Sequence, residues 1–406
     1  MMRIAVVSPF IDKRHGTERC VAEQIEHLIN DFSYEVHLYS QRVEDIGVGR
    51  TLGSSKGKGQ FIWHKVPNLP GPHILKYLWW FVANQVIRGW NRKVRGCQYD
   101  LVYSPGINCL DADVISVHIV FAEFYRQVKD MLSLRRNPPR SWLKLIHRWL
   151  YYHLIMALER RIYGRRRVTL VAISKKVAND LHRHYGVPLA LPIAYNGVDI
   201  QKFNPQVRAS LRLQARKALN LRDEIFTILL IGNDWRKKGL DCLLEAIYRL
   251  KSLPICLLVV GKDDPNPYLV RIRERGLNER VTFLPPRPDV EVYYAAADAY
   301  VAPSLDDAFP LPPTEAMACG LPVIVSSQAG GVSEIIKDGV DGLILKDPRD
   351  PEELSRLLQL LYSDKSLRER LSQNASQTAQ QFTWERNAQV MHEVFLQVAN
   401  EKTKTE

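Results

Sequence analysis

The chain has 406 residues, 46% of them hydrophobic and 25% charged. That composition excludes a disordered or fibrous protein and leaves room for two globular domains of ordinary size. A formal net charge of +12 calls for an anionic partner: nucleic acid, an acidic membrane surface or a phosphorylated substrate. Residues 3–10 form a β-branched apolar run that predicts a buried strand, so the N-terminus reads as a first strand rather than a secretion signal. A polar loop over 12–19 follows. Gly16 or Thr17 is expected to cap a helix whose apolar positions, Val21, Ile25, Leu28 and Ile29, keep the helical period. Residues 34–40 predict a second strand. Strand, helix and strand at this spacing make a βαβ unit and hence a parallel, doubly wound sheet. The Gly/Lys/Ser stretch 53–59 reads as a mobile loop. Residues 74–87, with Tyr77, Trp79, Trp80 and Phe81, suit either a packed core helix or a surface contact. Further strands are expected at 101–103, 114–118 and 169–173.

The pattern restarts near residue 200, after a turn signalled by Asn196-Gly197 within the linker 195–199. Strands are expected at 226–231, 255–260, 281–284, 299–302 and 322–326, with a helix over 241–250. A last helix is expected over 384–399, before the polar tail 401–406. No apolar run approaches the roughly 20 residues that span a bilayer. The six cysteines are scattered without zinc-ligand spacing, as expected of reduced thiols in a cytoplasmic protein.

Chemistry concentrates in the second array. Asp307 lies on a proline-rich loop and Glu315 eight residues later, in what reads as the first turn of a helix, where the macrodipole favours an anion. Carboxylates accept hydrogen bonds from vicinal hydroxyls, so a sugar or ribose is the natural ligand. Upstream, Gly232-Asn233-Asp234-Trp235-Arg236-Lys237-Lys238-Gly239 directly follows a predicted strand. Ligands of open α/β sheets sit at the carboxyl ends of strands, and three adjacent cations there suit a diphosphate.

The block 307–324 resembles the signature Glu-x-Phe-Gly-x-x-x-x-Glu-Ala-Met-Ala-x-Gly-x-Pro-Val of retaining GT-B glycosyltransferases of the group 1, family 4 type, which include lipopolysaccharide-core and mannosyl transferases. Asp307 stands for its first Glu and Pro310 for its Gly. Lys238-Gly239 matches the family's Lys-Gly, while Asn233 stands where an Arg usually follows the first Gly, leaving Arg236 or Lys237 to supply that charge. His15-Gly16-Thr17-Glu18-Arg19 is similar to its Gly-Gly-x-Glu-Arg loop. The segments 172–175, 196–199 and 329–336 follow in the family's order.

The resemblance implies that Asp307 holds the donor sugar's hydroxyls and Glu315 the nucleotide ribose. Lys238 would stabilise the departing diphosphate, with Gly232, Arg236 and Lys237 beside it. Pro310 has no N–H, so backbone donation falls to Phe309 and Leu311. Gly16 lets a ligand approach the first helix, and His118 is expected to hydrogen-bond the sugar. Asp111-Ala112-Asp113 spells a metal-binding motif but precedes an apolar strand and reads as chance; metal-independent transfer with no cofactor is the expectation.

Residues 135–167 carry ten Arg or Lys and one acid, Glu159, interleaved with aromatic residues. They predict an amphipathic helix on an anionic membrane, with Arg136, Trp142, Lys144, Arg148 and Trp149 as contacts. Nucleic-acid binding is not expected, since no such module is visible.

The sequence therefore leads to an α/β chain of GT-B type, two Rossmann-like doubly wound domains facing across a cleft. Residues 1–195 would bind the acceptor and 196–381 the nucleotide sugar, with 382–406 a helix crossing back to the first domain and a tail. The expected activity is retaining transfer of a sugar from a nucleotide diphosphate to a membrane-associated, lipid-linked or phosphorylated glycan acceptor, in polysaccharide or lipopolysaccharide synthesis. The expected location is the inner face of the plasma membrane. A catalytically weak nucleotide-sugar-binding partner subunit, or a nucleotide-sugar epimerase on the same fold, is the alternative.

Overall fold

The computed structural model describes residues 1–47, 59–129, 142–165 and 167–404. Its contacts divide the chain into Met1–Tyr195 with Trp384–Glu406, here unit 1, and Asn196–Thr383, unit 2.

Unit 1 runs β1 (Arg3–Val7), β2 (Phe10–Ile11), α1 (Gly16–Asn30), β3 (Glu35–Ser40), β4 (Arg42–Val43), β5 (Gln60–Lys65), α2 (His73–Val94), β6 (Leu101–Pro105), β7 (Val114–Val117), α3 (Phe121–Val128), α4 (Trp142–Tyr163), β8 (Thr169–Ala172) and α5 (Lys175–Tyr185). Its main sheet is parallel in the order β5-β3-β1-β6-β7-β8. Ile4 to Val7 are wholly buried, as a parallel sheet covered on both faces requires. The strand expected over 3–10 stops at Val7. Pro9, which has no N–H for a ladder, separates it from Phe10 and Ile11, which pair with Arg42 and Val43. The helix cap is neither Gly16 nor Thr17: His15 holds the N-cap position in extended conformation, its ring on Asp12 at 2.9 Å. The 53–59 segment, apart from Gly59, lies outside the described residues.

Unit 2 follows with α6 (Pro205–Ala218), β9 (Phe226–Ile231), α7 (Leu240–Arg249), β10 (Ile255–Val260), α8 (Asn266–Glu274), β11 (Val281–Leu284), α9 (Glu291–Ala296), β12 (Ala299–Ala302), α10 (Leu311–Ala318), β13 (Val323–Ser326), α11 (Gly331–Ile335), β14 (Leu343–Leu345), α12 (Pro351–Ser363) and α13 (Lys365–Ala379). Its sheet, also parallel, has the order β11-β10-β9-β12-β13-β14. In each sheet the strand order reverses once beside the first strand, between β1 and β6 and between β9 and β12. Such reversals open a crevice beyond the carboxyl ends of the strands, where ligands of doubly wound sheets bind.

The last helix, α14 (Trp384–Thr403), belongs to unit 1. Met391, Val394, Phe395 and Val398 join Ile25, Leu28 and Tyr103 in its core. Gln24 donates to Asn387 at 2.8 Å and accepts from the Tyr103 hydroxyl at 2.7 Å, so the buried polar groups are paired. The Asp111-Ala112-Asp113 carboxylates are structural: Arg88 grips Asp111 through both guanidinium nitrogens at 2.7 and 2.8 Å, and Asp113 accepts the Val102 N–H and the Lys402 ammonium. Among the described residues no helix is long and apolar enough to cross a membrane.

Candidate functional site

In unit 2 the candidate residues converge on the reversal between β9 and β12. The loop after β9 starts at Gly232 and ends at Gly239, and both glycines are required. Gly239 has φ of 79°, and a Cβ there would lie 1.9 Å from the Pro303 carbonyl oxygen. At Gly232 a Cβ would meet the Lys238 side chain, which runs back across it, at 3.0 Å. Trp235 anchors the loop from beneath, its ring buried against Phe283 and its backbone N–H donating to Asp263 at 2.7 Å.

The loop after β12 is held as firmly. Leu305 N–H donates to the Lys237 carbonyl at 2.8 Å, Asp307 N–H to that of Gln328 at 3.0 Å, and Gly331 N–H to that of Ala308 at 2.9 Å. The Lys238 ammonium meets Asp307 Oδ2 at 2.5 Å, with each side chain about a fifth exposed. Lys237 reaches Asp306 at 3.6 Å. Arg236 is exposed, and Asn233 accepts the Lys262 N–H at 3.0 Å. The backbone thus aims one cation and one carboxylate into one crevice. A diphosphate arriving there would share Lys238 with Asp307, whose second oxygen can take a hydroxyl.

Because this clamp leaves no room at Gly239, Gly239→Ala is expected to cost about 2–5 kcal/mol, a left-handed backbone penalty plus overpacking. An unchanged urea midpoint would remove the argument that Pro303 and Gly239 fix the loop.

Glu315 does not sit in a first turn. Helix α10 starts at Leu311, with Pro310 as its N-cap and prolines at 312 and 313, so Glu315 is its fifth residue. Proline suits a first turn because the N–H it lacks has no partner there. The consequence is that only Leu311 and Thr314 keep an N–H among the first four positions, halving the donors this terminus can offer an anion. Glu315 is buried and accepts the Tyr294 hydroxyl at 2.6 Å. Phe309 is buried too, its carbonyl accepting from Asn196 at 3.5 Å.

In unit 1, the reversal between β1 and β6 opens into a cavity of about 400 Å3, within the usual range for small-molecule sites. His118, just past β7, lines it and is 9% exposed. Its Nε2 lies 3.2 Å from Ser116 Oγ, and burial pushes its pKa down to about 4. Near neutral pH it is therefore an uncharged hydrogen-bonding group, not a stored proton. A Cβ on Gly16 would meet nothing within 4 Å, so the start of α1 is open to approach, and Thr17 lines the cavity.

The sequence reading missed the rest of the wall: Tyr77 and Trp80 on α2, Phe121 on α3, and Tyr151, Ile155 and Glu159 on α4. The spacing of 151, 155 and 159 carried a signal, since positions four apart share a helix face. Glu159, wholly buried, accepts the Phe121 N–H at 3.0 Å and the Tyr185 hydroxyl at 2.6 Å, and burial raises its pKa to about 7.

Of the expected membrane contacts, Trp142, Lys144, Arg148 and Trp149 lie exposed on α4, while Arg136 is outside the described residues. The helix is not amphipathic in the expected sense. Leu145, Tyr152, Ile155 and Ile162 are buried, yet the other side mixes Leu143 (84% exposed), Ile146 and Leu150 with the cations. Helix α2 exposes a longer apolar row, Leu75, Trp79, Val82, Val86, Trp90 and Val94, at three- and four-residue steps that keep one helix face. The two helices meet where Ile74 N–H donates to His147 and Tyr77 stands edge-on to Tyr151.

The chain matches the family model described as glycosyl transferases group 1 over residues 212–378 and that of glycosyltransferase family 4 over 14–202. Curated relatives include D-inositol 3-phosphate glycosyltransferases of Jonesia denitrificans, 33% identical over 254 residues, and of Xylanimonas cellulosilytica, 33% over 243. These matches span 58% and 57% of this chain and 59% and 58% of the relatives, less than two thirds of their length. Similar solved structures include WaaG, a glycosyltransferase involved in lipopolysaccharide biosynthesis (TM-score 0.75, 21% identity, 97% of this chain and 99% of that one). Sucrose-phosphate synthase from Thermosynechococcus elongatus gives 0.72 at 22% identity, covering 98% and 99%, and Anabaena HepE with UDP-glucose gives 0.67 at 20%, covering 97% and 99%. At such identities these structures speak to the fold.

Proposed function

Starting from a chain that belongs to the group 1 glycosyltransferases and has the GT-B fold, we propose that it is a retaining enzyme that moves a sugar from a nucleoside diphosphate to a membrane-associated or phosphate-bearing glycan acceptor. The observation that carries the reading is the Lys238–Asp307 pair at 2.5 Å, at the strand-order reversal of unit 2. Cleaving the bond from the anomeric carbon to the diphosphate builds negative charge on the leaving oxygen. A lysine already fixed in a crevice stabilises that charge without reorganising. Asp307 then takes a donor hydroxyl, and Glu315, oriented by Tyr294, the ribose. The leaving phosphate itself can receive the acceptor's proton, so transfer on the departing face needs no enzyme nucleophile and no metal.

The relatives support the substrate classes. HepE was solved with UDP-glucose, the curated relatives are named for a phosphorylated cyclitol, and WaaG for lipopolysaccharide. Support for a peripheral place on the inner face of the plasma membrane comes from the exposed apolar rows of α2 and α4, with Lys144, Arg148, Arg160 and Arg161 beside them. Tryptophans and apolar side chains enter the interface while cations meet anionic headgroups. Six free cysteines agree with a reducing compartment.

The test is nucleoside diphosphate release from a panel of UDP-, GDP- and ADP-sugars with a lipid extract, for the wild type and Lys238→Ala. Release from one donor, lost in the variant, establishes the transfer and names the donor. Tight diphosphate binding without release from any donor favours a non-catalytic partner subunit, and neither binding nor release sinks the proposal.

A further inference from the structure

We infer that the unit 1 cavity holds the apolar chain of an amphiphilic acceptor, an alkyl or prenyl phosphate, with the phosphate at its rim. The inference rests on the membrane-associated acceptor proposed above and adds what the acceptor is made of. The inner wall is built from Tyr77, Trp80, Phe121, Tyr151, Ile155 and Tyr163, and several of the polar groups around it are engaged by the protein. Tyr77 donates its hydroxyl to the Ile107 carbonyl at 2.8 Å, and Trp80 its indole N–H to Asn108 at 3.0 Å. Asn108 in turn donates to the Pro105 carbonyl at 2.7 Å. Glu159 is taken by Phe121 and Tyr185, and His118 Nε2 lies against Ser116. What remains at the lumen is mainly ring and aliphatic surface, with the Tyr151 and Tyr163 hydroxyls as the other polar groups of the inner wall.

A sugar or cyclitol ring buried there would find few partners for its hydroxyls, and each one left unpaired carries a desolvation penalty. An alkyl chain gains with every methylene it takes out of water. The rim is of the opposite character. Thr17, Gln41, Asn68, His73 and Lys76 line the cavity and are at least partly exposed. His73 and Lys76 stand in the first turn of α2, which carries no acid. Leu75, Leu78 and Trp79, exposed on the same turns, would give the chain an apolar path from a bilayer.

Decyl phosphate below its micelle concentration is the probe, titrated calorimetrically into the full-length protein. Saturable binding with a negative heat-capacity change is expected, marking apolar burial. Inorganic phosphate alone should bind at least tenfold more weakly. Ile155→Trp, which fills the lumen, should reduce decyl phosphate affinity at least tenfold, and Lys76→Ala severalfold. Should Ile155→Trp fail to fold, Ile119→Trp narrows the same cavity from an exposed position and should act in the same direction. No binding, or binding indifferent to the folded cavity variants, as adsorption to the α2 and α4 surface would give, overturns the inference. Donor release reports on the residues of unit 2. Release without decyl phosphate binding therefore overturns the cavity assignment and leaves the transferase reading standing. Cavity-dependent binding without release supports the pocket and counts against transfer.

Discussion

Alanine at Lys238 is expected to lower donor turnover by about 100- to 1,000-fold, the usual effect of removing one preorganised donor to a developing oxyanion. Unit 2 should stay folded. The ammonium is partly exposed, and the Asp307 carboxylate it leaves behind can be hydrated by water entering the crevice. The loss should fall on kcat and kcat/KM alike, because the charge Lys238 meets grows only as the bond breaks. A rise in KM with kcat unchanged would instead make Lys238 a ground-state anchor for the diphosphate. Full turnover in the variant would remove the lysine from the chemistry altogether.

Arginine should not restore the rate. The Lys238 chain crosses Gly232 closely enough that a Cβ there would lie 3.0 Å from Cε. A planar guanidinium carried past the same point is displaced from Asp307. Asp307→Asn tests the other half of the pair. It keeps the shape and frees the ammonium, so diphosphate should bind no more weakly while turnover falls with the lost sugar contact. If the two residues act as one unit, their double-mutant effect will be far from additive.

Much of this site was legible in the sequence because its parts are local. A buried β-branched strand, then glycine, then cations, then a second glycine fixes where Lys238 starts, and the proline-rich loop after β12 fixes Asp307. Their 2.5 Å contact required the strand order, which sequence does not print. Glu315 was misplaced for a local reason: three prolines read as a loop, yet two of them occupy positions in a helix where no N–H is needed, and the helix begins at Leu311, a full turn before Glu315. The unit 1 cavity was hidden because its walls come from three helices whose aromatic residues each look like ordinary core. The character of α4 was hidden similarly. Ten cations in 33 residues suggested a polar face, but every turn of its first half also exposes leucine, isoleucine or tryptophan.

Below pH 6.5 unit 1 is expected to lose stability before unit 2 does. All eleven histidines lie in unit 1. Burial holds His118 and His64 neutral down to about pH 4, against an ordinary value of 6.5. His37, stacked on His64 and bonded to Glu35, is also shifted down by burial. Between pH 6.5 and 4 the unfolded chain binds protons at these positions that the folded chain refuses. Their contribution is thus fully present above 6.5 and lost as pH falls. Glu159 works against them. Its pKa of about 7, up from 4.5, means the folded chain holds its proton in the same window, which favours folding as pH falls. His118 and His64 against one carboxyl leave a net difference of about one proton, to which His37 adds in the same direction. That corresponds to about 1.4 kcal/mol per pH unit, or about 2 kcal/mol between pH 6.5 and 5. Urea denaturation followed at both pH values should show it as a separate, earlier transition of unit 1. In Glu159→Gln, whose amide oxygen can keep the Phe121 N–H while its NH2 donates to the Tyr185 hydroxyl oxygen, the opposing carboxyl is gone and the slope should roughly double. A wild-type transition with no pH dependence over this range, or a variant slope no steeper than the wild type's, would mean that these side chains titrate in the folded protein much as they do in water.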